Sequence, residues 1–293
     1  MKLIENTFKC KGRGDEFHFY PLGDWHIGDP HCAEGHIRKI IKLIKDDPMA
    51  RWWGGGDYLN AITLVDTKRF DVDVLPNWML IGSPDEVRGN LKDIVNQEAS
   101  RFITMVWDIR DKCLGLIEGN HELSISKYHN YDIQQHLCDS LEVPNLTDQA
   151  FTRLTFLRGS CASKVVMAYI CHGFGGGRSP GAEPNHLGKM MIDKEADIYL
   201  RGHSHTFHIM PPQSVICCPT TGKLPDECRE KVKRAANWGT MVKSHAVGAA
   251  TYSSRACYPA RPLCAMVIDI EPHRGVTSGG ENPGRIMMRE LPL

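Results

Sequence analysis

The ten residues ADIYLRGHSH, at positions 196–205, join a short run of strand-forming residues to a glycine and two histidines. The histidines, His203 and His205, are separated by one residue. Side chains two apart on an extended segment point to the same side, so both imidazoles can face one region. Such spacing arises easily by chance in a chain with 14 histidines. The pair therefore indicates a metal site only if other parts of the chain supply further ligands.

The same pattern occurs four more times: a short β-prone run, then glycine or another small residue, then an acidic residue, Asn or His. It is seen in EFHFYPLGDWH (16–26), MARWWGGGD (49–57), CLGLIEGNHE (113–122) and VVMAYICHG (165–173). In an open α/β sheet, ligands gather beyond the carboxyl ends of the strands. We therefore expect the polar residues that follow these five strands, here called the polar tips, to converge in one crevice.

The segments between these tips predict the rest of the fold. Residues 31–47 carry isoleucines at helical spacing, and residues 85–112 predict one long helix or two. From about residue 150 the pattern becomes β-rich, which predicts a second sheet packed behind the first. The basic run KVKRAANW, at 231–238, predicts the solvated face of a helix. Together these predict one α/β domain spanning residues 1–293, with residues 58–90 as a candidate lid or substrate wall.

Composition excludes several classes of protein. Lys plus Arg and Asp plus Glu number 35 each, so no overall electrostatic field draws the chain to nucleic acid or to an acidic membrane. The N-terminal MKLIENTFKC turns polar after four residues, and no apolar run approaches the roughly 20 residues that span a bilayer. The 11 cysteines lack CxxC spacing and favour reduced thiols. We expect a cytoplasmic protein with no membrane partner.

The polar tips offer side chains that can bind metal ions. They are Asp24, His26, Asp57, Asn120, His172, His203 and His205. Mixed carboxylate, imidazole and amide ligands without thiolate suit Mn, Fe or Zn. Two such ions, about 3.5–4 Å apart, can stabilise the attacking and leaving oxygens of a phosphoryl displacement. Taken singly, each Asp or Asn could instead cap a turn, and each His could be a core residue.

The ordered set D-x-H, G-D, G-N-H-E, H and G-H-x-H, within residues 24–205, resembles the calcineurin-like metallophosphoesterase superfamily. This resemblance implies a fold of two facing mixed β-sheets flanked by helices, a four-layer α-β-β-α sandwich. It also implies that the nucleophile is a metal-bound hydroxide, formed near neutral pH because the ions lower the pKa of bound water. The implied cofactors are two divalent ions, with Mn expected and Fe or Zn as alternatives.

The resemblance also implies a role for each residue. It gives three ligands to each metal and one shared carboxylate: Asp24, His26 and His205 for the first, Asn120, His172 and His203 for the second, and Asp57 between them. His121 resembles the family's non-ligand histidine, which protonates the leaving oxygen or stabilises its charge. Glu122 is expected to orient His121 or its loop.

The substrate class rests on finer features. DWHIG, at 24–28, resembles the opening motif of nuclease subunits of the Mre11 and SbcD type. Protein Ser/Thr phosphatases of the superfamily carry an Asp-Arg pair after the G-D motif, whereas here Asp57 is followed by Tyr58. This difference disfavours a protein phosphatase. The prediction is hydrolysis of phosphodiester bonds in DNA, RNA or nucleotides. The alternatives are a phosphomonoesterase, with Arg178 of a glycine-rich loop clamping the phosphate, and a non-catalytic scaffold, which the complete ligand set disfavours. The sequence does not specify the oligomeric state.

Overall fold

The computed structural model describes residues 1–64, 66, 70, 75–159, 161–175, 179, 181–217, 228–245, 251, 258–274 and 284–292. Its helices are α1 (Glu34–Asp46), α2 (Asn77–Leu80), α3 (Pro84–Lys92), α4 (Ile94–Val106), α5 (Asn120–His129), α6 (Ile133–Leu141) and α7 (Ala182–Asp193). Its strands are β1 (Lys2–Cys10), β2 (Phe17–Leu22), β3 (Ala50–Gly54), β4 (Cys113–Ile117), β5 (Asn145–Thr147), β6 (Gln149–Arg158), β7 (Cys161–Cys171), β8 (Ile198–Arg201), β9 (Phe207–Ile209), β10 (Gln213–Cys217), β11 (Arg229–Trp238), β12 (Ala265–Glu271) and β13 (Arg285–Leu291).

The strands form two mixed sheets. One has the order β1-β6-β7-β8-β11-β10, with β9 also paired to β11, and the other has the order β13-β12-β2-β3-β4-β5. Strands β2, β3, β4 and β5 run parallel to one another, as do β7, β8 and β11. The carboxyl ends of β2, β3 and β4 therefore share one sheet edge, and so do those of β7 and β8.

The predicted α/β architecture is confirmed, because side chains pack in three successive apolar layers. Phe19 and Trp53 of one sheet pack with Phe156 of the other in a core between the sheets. Helices α1, α4 and α6 cover the outer face of the β2-β3-β4 sheet. Helix α7 covers the outer face of the other sheet, where Leu187 lies among Tyr169 and Tyr199. The order of layers is therefore helix, sheet, sheet, helix.

The helical period predicted for α1 corresponds to a buried helix face. In α1 the four isoleucines predicted to face inward, Ile37, Ile40, Ile41 and Ile44, are all buried. Residues 85–112 form two α-helices followed by a short 3-10 turn. The chain leaves helical geometry at Asp93, between α3 and α4, where φ is −136°. Helix α3 begins at a capping box in which Ser83 and Glu86 satisfy each other's backbone N–H groups.

One expectation from the sequence is wrong. Residues 231–238 are not a helix face but most of β11, which pairs with β8 and β10. The second sheet expected from about residue 150 is present and contains β6, β7, β8, β10 and β11, but the two sheets do not separate strictly by position in the chain. The first strand, β1, pairs with β6 in the sheet of later strands, whereas β12 joins β2 in the sheet of earlier ones. Pairing between strands distant in sequence decides both outcomes.

Segment 58–90 is described only in part, because residues 65, 67–69 and 71–74 lie outside the described residues. Its beginning, residues 58–61, runs beside the converging strand ends, and its later part contains α2 and most of α3. Its role as a lid stays a prediction. Within the described part of the chain, no helix is both long enough and apolar enough to cross a membrane.

Candidate metal centre

All seven predicted ligands lie on segments that directly follow strands. Asp24 and His26 follow β2, Asp57 follows β3, Asn120 begins α5 after β4, His172 follows β7, and His203 and His205 follow β8. Backbone hydrogen bonds join these segments side by side. The Trp25 and His26 N–H groups donate to the Asp57 carbonyl, and the Gly202 N–H donates to the His172 carbonyl. Five segments from two sheets thus meet in one place.

The first group of side chains comprises Asp24, His26 and His205, whose candidate ligand atoms all lie within 4.8 Å of one another. His205 Nε2 is 3.3 Å from Asp24 Oδ1 and 3.1 Å from His26 Nε2. Asp57 Oδ2 is 3.7 Å from His26 Nε2, so the shared carboxylate also borders this group.

The second group comprises Asp57, His172 and His203, and it meets the same distance limit. His172 Nε2 is 3.2 Å from Asp57 Oδ2 and 3.2 Å from Asn120 Oδ1. Asn120 Oδ1 is also 2.7 Å from His203 Nδ1. The same oxygen of Asp57 therefore borders histidine nitrogens of both groups, as expected for a carboxylate shared between two ions.

The donor set fits divalent cations. His172 Nδ1 is 2.8 Å from the Gly55 carbonyl, which can only accept a hydrogen bond, so Nδ1 carries the proton. In the neutral ring, Nε2 then directs a lone pair towards the carboxylate oxygen of Asp57. A histidine oriented by a backbone carbonyl on its far nitrogen is typical of metal ligation. Nitrogen and oxygen donors without a thiolate suit Mn, Fe or Zn.

The two carboxylates lie at the base of the centre, where Asp24 is 0% and Asp57 2% exposed. Burial opposes the ionisation of both carboxylates, but a hydrogen bond from His205 lowers the pKa of Asp24. The charges of His172 and His121 likewise hold the pKa of Asp57 well below its usual range. Burial opposes the charged form of His172 as well, yet Asp57 raises its pKa to about 10. Metal binding there is therefore expected to release a proton.

The backbone at this centre is strained. Five of the seven predicted ligands have a positive φ, which is uncommon for residues other than glycine. They are Asp24 (52°), His26 (47°), Asp57 (51°), His203 (68°) and His205 (56°). Such conformations persist only where the surrounding structure enforces them, and they cluster at functional sites. The strain supports a functional role for these loops.

His121 lies against the first group, with its ring 4.5 Å from that of His26. Its Nδ1 donates to the carbonyl of Asn60, and its backbone N–H donates to Asp57 Oδ1 at 2.9 Å. The ring is therefore oriented by a carbonyl of segment 58–90, and Nε2 is left for another partner. Nothing in the sequence pointed to Asn60.

Glu122 is fully buried and binds backbone rather than the His121 ring. Its Oε2 accepts from the N–H groups of Asp57 (2.9 Å) and Gly119 (3.1 Å), and its Oε1 accepts from Leu59 (3.0 Å). Burial and the charge of Asp57 raise its pKa to about 7. Glu122 thus holds together the loops that carry Asp57 and Asn120.

Two residues from the end of β11 and the turn after it also contact the centre, and no sequence motif selects them for this role. Trp238 Nε1 donates to Asp24 Oδ2 at 2.7 Å, and Thr240 Oγ1 donates to the Asp24 carbonyl at 3.0 Å. These contacts span more than 200 residues of sequence, so no local pattern could reveal them. Arg178, the predicted phosphate clamp, lies outside the described residues.

No family model and no curated protein matches this chain. Among solved structures, Vps29 from Chaetomium thermophilum is 12% identical, with 94% of this chain and 97% of that chain covered and a TM-score of 0.38. A conserved uncharacterized protein (predicted phosphoesterase) from Streptococcus pneumoniae TIGR4 is 13% identical, with 94% of this chain and 99% of that chain covered and a TM-score of 0.36. These likenesses are too distant to assign a role to any residue of this chain.

Proposed function

We propose that this chain is a cytoplasmic, dinuclear-metal-dependent phosphoesterase that hydrolyses phosphodiester bonds of nucleic acid or nucleotides. The observation that carries the proposal is the position of Asp57, whose Oδ2 borders histidine nitrogens of two adjacent ligand groups at 3.7 and 3.2 Å. Two divalent ions, with Mn expected, would supply activation of water and neutralisation of phosphate charge. Asp24, His26 and His205 would hold one ion and Asn120, His172 and His203 the other, with Asp57 shared.

The chain's own residues determine how a substrate enters. Asp24 and Asp57 are buried at the base, whereas Asn120 is exposed and His203 and His205 are partly exposed. A phosphate group would therefore approach from the side of the imidazoles and the amide. The buried carboxylates would keep their orientation while substrate binds, because backbone N–H groups of His203 and His121 donate to them.

His121 is the proposed general acid. Its Nδ1 proton is committed to the Asn60 carbonyl, so a second proton, at Nε2, would be the one donated to the leaving oxygen. The ring is partly exposed beside the first ligand group, where a leaving group could reach it. In this role Asn60 orients the acid, which links segment 58–90 to the reaction.

A nucleotide-type substrate is supported by Phe174, which lies two residues beyond His172 and is 87% exposed. An exposed aromatic ring can stack on a nucleic-acid base, a contact worth about 1–3 kcal/mol per base and tolerant of sequence, so Phe174 is the residue we propose for that contact. The balanced net charge of the chain is compatible with short nucleic-acid or nucleotide substrates rather than long-range capture of duplex DNA.

The test is hydrolysis by metal-stripped protein to which Mn²⁺ is returned. Bis-p-nitrophenyl phosphate, p-nitrophenyl phosphate and single-stranded DNA would be compared. We expect cleavage of the diester and of DNA, loss of turnover in Asp57→Ala, and a kcat lower by about 10²- to 10⁴-fold in His121→Ala. His136→Ala, at an exposed position of α6, is the matched control and should keep full activity.

Two outcomes would contradict the proposal. Cleavage of the monoester alone would replace it with a phosphomonoesterase, and Arg178→Ala would then test the predicted clamp. No turnover with Mn, Fe or Zn, on any of the three substrates, would favour a non-catalytic scaffold.

A further inference from the structure

One indole ring lies against three glycines that precede predicted ligands. A Cβ atom placed on Gly55 or on Gly202 would come within 2.3 Å of Trp238 Cζ2, and one placed on Gly23 would come within 3.0 Å of Trp238 Nε1. Trp238 is 2% exposed. Glycine at these three positions therefore gives the indole room beneath the Asp24, Asp57 and His203 loops.

The indole also binds a predicted ligand directly. Trp238 Nε1 donates to Asp24 Oδ2 at 2.7 Å, within the buried part of the centre. The other oxygen, Oδ1, lies 3.3 Å from His205 Nε2. The His203 backbone N–H is 3.1 Å from both oxygens. Trp238 thus occupies one oxygen of Asp24 and leaves the other directed towards the histidines of the first group.

Neighbours of Trp238 fix its strand to the same loops. Asn237 Nδ2 donates to the Gly202 carbonyl at 3.2 Å and to Ser204 Oγ at 2.9 Å, in the loop that carries His203 and His205. Thr240 Oγ1 donates to the Asp24 carbonyl. The end of β11 and the turn after it therefore bind the two loops that carry Asp24, His26 and His205.

We infer that Trp238 is a positioning residue for the first metal ion, which fixes the Asp24 carboxylate so that Oδ1 is presented together with His26 and His205. This inference rests on the proposed metal centre. A hydrogen-bond partner of a metal ligand typically changes metal affinity by about 10- to 100-fold when it is lost. The second ion, whose ligands do not include Asp24, should keep its affinity.

The variant that tests this is Trp238→Phe, which removes the N–H donor and keeps a buried aromatic ring. Trp53→Phe is the matched control, because Trp53 is fully buried in the core between the sheets and its Nε1 donates to Thr152 Oγ1 at 3.2 Å. Calorimetric titration of Mn²⁺ into metal-stripped protein should show one of the two dissociation constants raised about 10- to 100-fold in Trp238→Phe and neither raised in Trp53→Phe.

A second readout needs no substitution. In ¹H–¹⁵N spectra assigned by triple resonance, the Trp238 indole N–H signal should shift when diamagnetic Zn²⁺ binds, because Asp24 then shares its charge with the ion. The Trp53 indole signal should stay in place. Full Mn²⁺ affinity in Trp238→Phe, or an unmoved Trp238 signal in zinc-loaded protein, would overturn the inference and leave the proposed function intact. A wild-type chain that binds no ion would overturn both.

Discussion

Replacement of Glu122 by Ala is expected to destabilise the fold more than the loss of a single contact would. The side chain is 0% exposed and accepts hydrogen bonds from the N–H groups of Asp57, Leu59 and Gly119 at 2.9–3.1 Å. Alanine would leave all three donors buried and without this acceptor. The affected loops carry Asp57 and the start of α5, so the effect should extend to the proposed metal centre.

The expected magnitude follows from those three donors. A buried polar group left without its partner costs about 1–3 kcal/mol. Relaxation of the loops and entry of water reduce the total below the sum of three such costs, and single substitutions rarely cost more than about 5 kcal/mol. Glu122→Ala should therefore lower the free energy of unfolding by about 3–5 kcal/mol. Glu122→Gln keeps one oxygen acceptor but turns an N–H₂ group towards backbone donors, so its effect should be intermediate.

Urea unfolding at pH 5, below the pKa of about 7 for Glu122, measures the difference, because a carboxyl whose pKa is raised in the folded state loses its stabilising contribution as pH rises. The control is Glu86→Ala, which removes an exposed glutamate that also accepts from backbone, in the capping box of α3. Its effect should be much smaller because water can replace the lost acceptor. A loss below about 1 kcal/mol in Glu122→Ala would refute the view that its hydrogen bonds hold these loops together.

Three further predictions concern packing and charge. Burial raises the pKa of Glu98, which accepts from the Ala61 N–H, well above its usual range. A group with a raised pKa stabilises the fold below its unfolded pKa, about 4.3 for Glu, and loses that contribution as pH rises. In urea unfolding, the stability of Glu98→Gln relative to wild type should therefore increase from pH 5 to pH 8. Burial opposes ionisation of Glu34, but paired hydrogen bonds from Arg101 outweigh the effect of burial and lower the pKa of Glu34. Arg101→Met should therefore lower the free energy of unfolding by about 1 kcal/mol at pH 7, and by progressively less as acid protonates Glu34. A loss that does not change with pH would contradict this. Gly55→Ala would press a methyl group into a buried indole and should lower the free energy of unfolding by about 1–3 kcal/mol in thermal or urea unfolding.

The strands and their polar tips could be predicted because both signals are local. A β-prone run that ends in glycine and a polar residue is visible within about ten residues, and parallel strands place such tips at one sheet edge. The four isoleucines of α1 were likewise visible as a helical period. The convergence of seven side chains from Asp24 to His205 followed from these local facts and from the resemblance of their order to a known family.

What could not be predicted depends on contacts between distant parts of the chain. The sequence of β11 predicts a helix face because its lysines indicate solvent exposure. In the structure Lys233 is only 6% exposed and pairs with Glu195 at 2.9 Å. The hydrogen bond between Trp238 and Asp24 joins residues 214 positions apart. Neither partner carries a local signal of the other, so only the folded chain reveals the contact.

The most direct test of the proposed metal centre is the rate of bis-p-nitrophenyl phosphate hydrolysis as Mn²⁺ is titrated into metal-stripped protein. Because Asp57 borders two ligand groups, the rate should rise until two equivalents of Mn²⁺ per chain are bound and then stay constant. Asp57→Ala should remain at the uncatalysed rate throughout. A wild-type rate that never exceeds the uncatalysed one, or that is already maximal with one equivalent, would contradict a dinuclear phosphodiesterase.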